Sequence, residues 1–326
     1  MMQKLLAFTF LLLAPAYGQQ PAPSSTPHTG PGGTVEYWDV LPLSGNTTHP
    51  IPPVIGEKVV KPKFTRELLR LEWRFGDPID LYVIRPAGAV KPPVVLFLYS
   101  YPTDSDRFLN DQLCESLTSH GFAAVGFVSA LTGQRYHDRP MREWFVSELP
   151  EALGTSVHDV QLVLNYLGMR GDLDMSRVGM FGQGSGGAIA ILSAAVDPRI
   201  KAVDVLDPWG DWPDWLAASP QVPERERANY LTPQFLAGVA PDDPLRWLNR
   251  LDGKHLRMQE TLFTATTPPA ARNRLEQAAP ANTDHIQYKT EDDYIRRAST
   301  GSKMLDWMQQ QLCPAAVQPD THGAGR

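Results

Sequence analysis

One stretch, Arg177-Val178-Gly179-Met180-Phe181-Gly182-Gln183-Gly184-Ser185-Gly186-Gly187-Ala188-Ile189-Ala190, narrows the folds open to this chain more than any other. An apolar run meets a burst of glycines, and a segment of small residues follows at helical spacing. The pattern predicts a strand, a tight turn and a helix packed close against that strand. Glycine belongs where φ must be positive or where two backbones nearly touch. The turn aims one side chain, together with the first N–H groups of the helix, at whatever binds above the sheet.

The surrounding segments set this unit in an α/β rhythm. Thr65 to Trp73 and Asp80 to Arg85 read as a leading antiparallel hairpin. Pro93 to Leu98 and Gly121 to Val128 are continuous apolar runs of the kind buried on both faces of a parallel sheet. Helices are expected over Phe108 to His120 and Thr155 to Gly168, with Val157, Val160, Val163, Leu164 and Leu167 on one face. Strands follow at Ile200 to Leu206, Arg257 to Phe263 and Ile286 to Lys289, with helices at Pro269 to Ala279 and about Ser302 to Leu312. The alternation implies a three-layer α/β/α domain with a mostly parallel sheet. Residues 211–251, with Trp212, Trp215 and Trp247, break the rhythm and read as a lid insertion over the carboxyl edge.

The ends differ in character. Lys4, the apolar run Leu5 to Leu13 and Ala16-Tyr17-Gly18 form a secretory signal peptide over residues 1–18, too short to span a bilayer. A Pro-rich extended arm occupies 19–56, the folded domain 57–313, and a disordered tail 314–326. Export to the periplasm or the cell exterior is therefore expected, with no transmembrane span after signal removal. A formal charge of -6 and the lack of a basic cluster exclude nucleic acid as the main partner. In an oxidising compartment the two cysteines, Cys114 and Cys313, could pair; the alternative is two separate buried thiols.

Two readings of the glycine turn compete. Gly182, Gly184 and Gly187 match G-x-G-x-x-G, and Asp204 and Asp207 lie about 20 residues on, as in a dinucleotide-binding oxidoreductase. That reading leaves the hairpin and the insertion unexplained, and the signal peptide lacks a twin arginine. Asp172 to Gly187, by contrast, resembles the nucleophile elbow of the α/β-hydrolase superfamily, in its secreted esterase, dienelactone-hydrolase and prolyl-oligopeptidase-like branches. The resemblance extends from Lys58 to Leu312.

The departures from that family are specific. In the elbow G-x-S-x-G, the flanking small residues map to Gly182 and Gly186, which puts Gly184 at the nucleophile position. The family's acid follows the penultimate strand, where this chain offers Thr264. Its histidine follows the last strand, where Thr290-Glu291-Asp292-Asp293-Tyr294 stands, with Asp292 at the matching place. His285 is at the far end of that strand, some 13 Å too low at ~3.3 Å per residue. A rescue arrangement would take Ser185 as nucleophile, Asp207 as acid and His137 as base. His158 reads as a helix-surface residue.

The resemblance implies a surviving pocket lined by Tyr99, Ser100, Tyr101, Gln183, Ser185, Asp207 and Trp209. It also implies that the first and last helices cover one face of the sheet, which favours a Cys114–Cys313 disulfide. No metal-ligand spacing and no cofactor are expected. The expected function is therefore ligand or partner binding by a hydrolase fold without its triad. A working serine esterase or peptidase and a dinucleotide enzyme are the alternatives.

Overall fold

The computed structural model describes residues 28–29, 35–37, 40–43, 53–74, 77–100, 106–131, 145–264 and 266–313. The expected signal peptide and tail, most of the arm, Tyr101 and His137 lie outside the described residues.

Strand β1 (His28–Thr29) pairs with β2 (Val35–Glu36) in a small separate ladder. The central sheet holds β3 (Val54–Val60), β4 (Phe64–Leu71), β5 (Ile79–Pro86), β6 (Pro93–Leu98), β7 (Ala123–Phe127), β8 (Asp174–Gln183), β9 (Ile200–Leu206), β10 (His255–Thr261) and β11 (Asp284–Tyr288). Their spatial order is β11-β10-β9-β8-β6-β7-β5-β4-β3. The pairs from β7 through β6, β8, β9 and β10 to β11 are parallel, whereas β3–β4, β4–β5 and β5–β7 are antiparallel. All six residues of β6 are buried, as a strand covered on both faces requires. The expected three-layer arrangement with a leading hairpin is present, and it gains an outer strand. That strand, β3, escaped the sequence because it is an edge strand: Val54, Ile55 and Val60 are exposed, so it carries no burial alternation.

Ten α-helices flank the sheet: α1 (Asp111–Thr118), α2 (Leu149–Met169), α3 (Ser185–Val196), α4 (Trp212–Ala218), α5 (Arg227–Tyr230), α6 (Pro233–Val239), α7 (Pro244–Trp247), α8 (Pro269–Ala278), α9 (Glu291–Tyr294) and α10 (Asp306–Leu312), counted among the described residues. On one face, α2, α3 and the 211–251 insertion pack over the larger apolar core; on the other, α1 and α10 cover a second cluster. Helix α2 is buried over nearly its whole surface. His158 is therefore a core residue rather than a surface one, its Nε2 3.0 Å from the Val40 carbonyl. Beside it, Gln161 donates to Leu41 O and accepts from Leu43 N, which fastens this part of the arm to the domain.

The 211–251 insertion follows β9; Trp212 and Trp215 are fully buried, and its helices pack on α2, α3 and α8. Burying these indoles against the helices removes a large apolar area from water. One expectation is corrected here. Cys114 and Cys313 are free thiols. Both helices do lie on one face, but α1 sits over β4, β5 and β7 while α10 sits over β8 and β9, with β6 between. Two strand spacings of about 4.8 Å exceed the Cα separation a disulfide bridges. Cys114 instead donates from Sγ to Phe108 O at 3.1 Å.

Candidate functional site

The glycines of the turn each meet a specific obstacle. A Cβ on Gly182 would overlap the Gly186 carbonyl, one on Gly186 would overlap the Leu98 carbonyl, and one on Gly187 would stand 3.0 Å from Pro208 Cα. These backbones lock β8, β6 and α3 together, so the frame Gly182-x-Gly184-x-Gly186 is fixed by packing. Gly184 lies at the apex, with φ 55° and ψ -116°, capping α3. That backbone is the strained elbow conformation, which glycine adopts without the cost a side chain incurs.

The room for a nucleophile has also gone. A Cβ at Gly184 would overlap Ser100 Oγ, approach Ser100 Cβ to 2.8 Å and reach within 3.2 Å of Trp209 Nε1. Trp209 is fully buried, with its ring 4.5 Å from that of Trp215, so it plugs the elbow from inside rather than walling a pocket as expected. Ser185 is fully buried in the first turn of α3. Tyr99 is a packing residue too: its ring lies 6.0 Å from Phe108 and 6.1 Å from Phe181, with the Arg107 guanidinium 3.6 Å from its centre.

A cleft of about 200 Å³ nevertheless opens beside the plugged elbow. It gathers the carboxyl ends of four adjacent strands: Gln183 from β8, Leu206 from β9 with Asp207 just after it, and Thr261 from β10. Phe263, Thr264 and Thr266 follow β10, and Glu291 and Tyr294 follow β11. Parallel sheets bind ligands at this edge. Of the residues expected to line a pocket, Gln183 and Asp207 border this cleft, and Tyr99, Ser100, Ser185 and Trp209 lie outside its lining. Of the former triad positions, Thr264 is in the cleft, whereas Asp292 is exposed on α9 and its neighbours Glu291 and Tyr294 face in.

Asp207 is the centre of this cleft. Its φ of 47° is unusual for a residue with a side chain, and the conformation is held from several sides. Thr261 N donates to its Oδ1 at 2.7 Å and Thr261 Oγ1 to its Oδ2 at 2.5 Å. Thr267 Oγ1 donates to the carbonyls of Asp207 and Pro208, both at 3.1 Å. Burial pushes the Asp207 carboxyl up, and the Thr261 bonds oppose this. The hydroxyl of Thr264 stands 2.6 Å from that of Thr261, where an acid of the triad would need a histidine to orient. Among the described residues no histidine lines the cleft. Among the described residues no group of three or more His, Cys, Asp and Glu side chains is placed to hold a metal ion.

Asp204, the other carboxylate a dinucleotide site would use, is buried within the sheet. Arg257 Nε and Nη2 donate to it at 2.9 and 2.6 Å, and Gln259 Nε2 at 2.8 Å. It is spent on holding β9 to β10, and the glycines are spent on strand–helix contact. The dinucleotide reading loses both its supports.

A carboxyl pair lies one residue from the cleft. Glu260 is only 3% exposed and faces Glu276 of α8, and Gln287 Nε2 donates to both carboxyls, at 3.2 and 2.7 Å. Burial and the Glu276 carboxyl push Glu260 up to about 9, while its bond to Glu260 holds Glu276 down. One proton is shared, and Glu260 keeps it. A folded-state value above the unfolded one contributes stability at low pH that drains away as pH rises toward 9. Glu260→Gln keeps the donor and removes the protonation cost. It should stabilise the fold by roughly 1–3 kcal/mol at pH 7. Urea titrations at pH 5, 7 and 9 should show the gap between variant and parent widening with pH.

No family model matches the sequence and no curated protein is similar to it in sequence. Solved structures share its fold. Acetyl xylan esterase from Paenibacillus sp. R4 superposes with a TM-score of 0.60 at 16% identity, over 80% of this chain and 88% of that one. Acetyl xylan esterase 1 from Thermoanaerobacterium sp. JW/SL YS485 gives 0.58 at 15%, over 80% and 89%. A puromycin-hydrolyzing peptidase of Mycobacterium tuberculosis gives 0.60 at 19%, over 76% of this chain and 39% of that one. With the strand order and the glycine elbow already in place, these matches make the architecture of this chain that of an α/β hydrolase.

Proposed function

We propose that this is an exported α/β-hydrolase-fold protein that has given up serine-hydrolase chemistry and acts by binding a ligand in the cleft around Asp207. The observation that carries this reading is the filled elbow: the volume a nucleophilic side chain needs at Gly184 is occupied by Ser100 and Trp209. Acyl transfer requires a nucleophile within hydrogen-bond reach of a base. Here Ser185 is buried away from the cleft, and Thr264 and Asp292 supply neither acid nor base in the family's positions. The cleft keeps the location of a substrate site and a set of polar groups aimed into it, which suits recognition. Export rests on the signal-peptide pattern of residues 1–18. Among the described residues no helix is long and apolar enough to cross a membrane.

Hydrolysis assays test the reading. With p-nitrophenyl acetate, p-nitrophenyl butyrate and an alanyl p-nitroanilide, the mature protein should release product at the buffer rate. Turnover above that rate, abolished by Ser185→Ala, would establish a displaced triad instead.

A further inference from the structure

We infer that the cleft selects a small organic cation, a primary ammonium carried on an apolar or aromatic body; this rests on the binding role proposed above. The polarity of its hydroxyl groups carries the inference. A threonine hydroxyl has one proton to give and two lone pairs. Thr261 gives its proton to Asp207, so the 2.6 Å contact between the Thr261 and Thr264 hydroxyls needs the proton of Thr264. Thr266 Oγ1 in turn donates to Thr264 at 3.3 Å. Each proton in the row points inward to the Asp207 carboxylate, which leaves lone pairs facing the cleft.

Glu291 adds a second carboxylate at the rim, and among the described residues no lysine, arginine or histidine lines the cleft. Arg272 of α8 is the basic side chain whose charge reaches Asp207, and it is not part of the lining. Phe263 and Tyr294 complete the walls with ring centroids 6.4 Å apart. Burial and then the negative charge of Asp207 push the Tyr294 phenol up. Acceptors, negative charge and aromatic faces together favour a donor cation. An anion would meet lone pairs and a carboxylate, and a neutral alcohol would gain nothing from the charge.

Isothermal titration of the mature protein with benzylammonium, benzyl alcohol and benzoate tests this at one ionic strength. Benzylammonium should bind at least about tenfold more tightly than the other two, one charge-assisted bond's worth of affinity. Glu291→Gln and Phe263→Ala both alter exposed side chains, and the fold of each is checked by its melting temperature. Glu291→Gln should weaken benzylammonium alone, by roughly three- to tenfold. Phe263→Ala should weaken all three probes. Benzoate or benzyl alcohol binding as well as benzylammonium, with the Phe263→Ala loss retained, would overturn the cation preference and leave the binding cleft standing. No binding by any probe, or binding indifferent to Phe263→Ala, would overturn the cleft reading with it.

Discussion

Gly184→Ser should lower stability by roughly 2–6 kcal/mol and yield no esterase. Two separate costs make up that figure. The apex backbone, at φ 55° and ψ -116°, taxes any side chain by about 1–3 kcal/mol. The new Cβ also overlaps Ser100 Oγ and stands 2.8 Å from Ser100 Cβ, an overpacking cost of about 1–3 kcal/mol. Adding Ser100→Gly removes the obstructing side chain, so the double variant should regain the second share and keep the first. The two sites touch, so their effects will not add. Urea unfolding of the parent, both single variants and the double variant separates the shares. Neither serine-bearing variant should hydrolyse p-nitrophenyl acetate above the buffer rate, because among the described residues no histidine lines the cleft beside the restored hydroxyl.

Asp204→Ala should cost about 3–5 kcal/mol, as when one member of a buried ion pair is removed. Arg257 and Asp204 have side chains only 7% and 1% exposed, and the guanidinium would be left with a buried charge. It also donates to Met304 O at 2.6 Å and stands 5.0 Å over the Trp307 ring, so its displacement loosens the segment leading into α10. Gln259 loses an acceptor as well, while still accepting from Tyr288 Oη at 2.6 Å. For a domain of this size the melting temperature should fall by roughly 6–20 °C. Replacing both members, Asp204→Leu with Arg257→Met, should recover most of the loss, since two apolar side chains leave no buried charge. Calorimetry on the single and double variants reads this directly.

The parts legible in the sequence were those set by backbone proximity and two-sided burial. Ile200–Leu206 was read to the residue because its buried positions other than Asp204 are all apolar, and Gly184 was placed at the apex because Gly182 and Gly186 admit no Cβ. The site was legible only in part. That Thr264 and Asp292 stand where the resemblance would put the triad's partners follows from counting along the chain. That Glu291 and Tyr294 face the cleft depends on the short helix α9, which turns Asp292 outward. The Thr261–Thr264–Thr266 row carried a signal in its spacing just past a strand end, but its meaning appears only when Asp207 is set against it across the sheet. The cysteines misled because which helix covers which strand is a lateral fact, and local patterns do not encode it. His158 misled because α2 is buried on nearly all sides, so no polar face marks its surface.

The proposed absence of a reactive serine is tested most directly by intact mass spectrometry of the mature protein after incubation with a fluorophosphonate probe. The unmodified mass is expected at every incubation time. A single adduct mapped to Ser185 would contradict it.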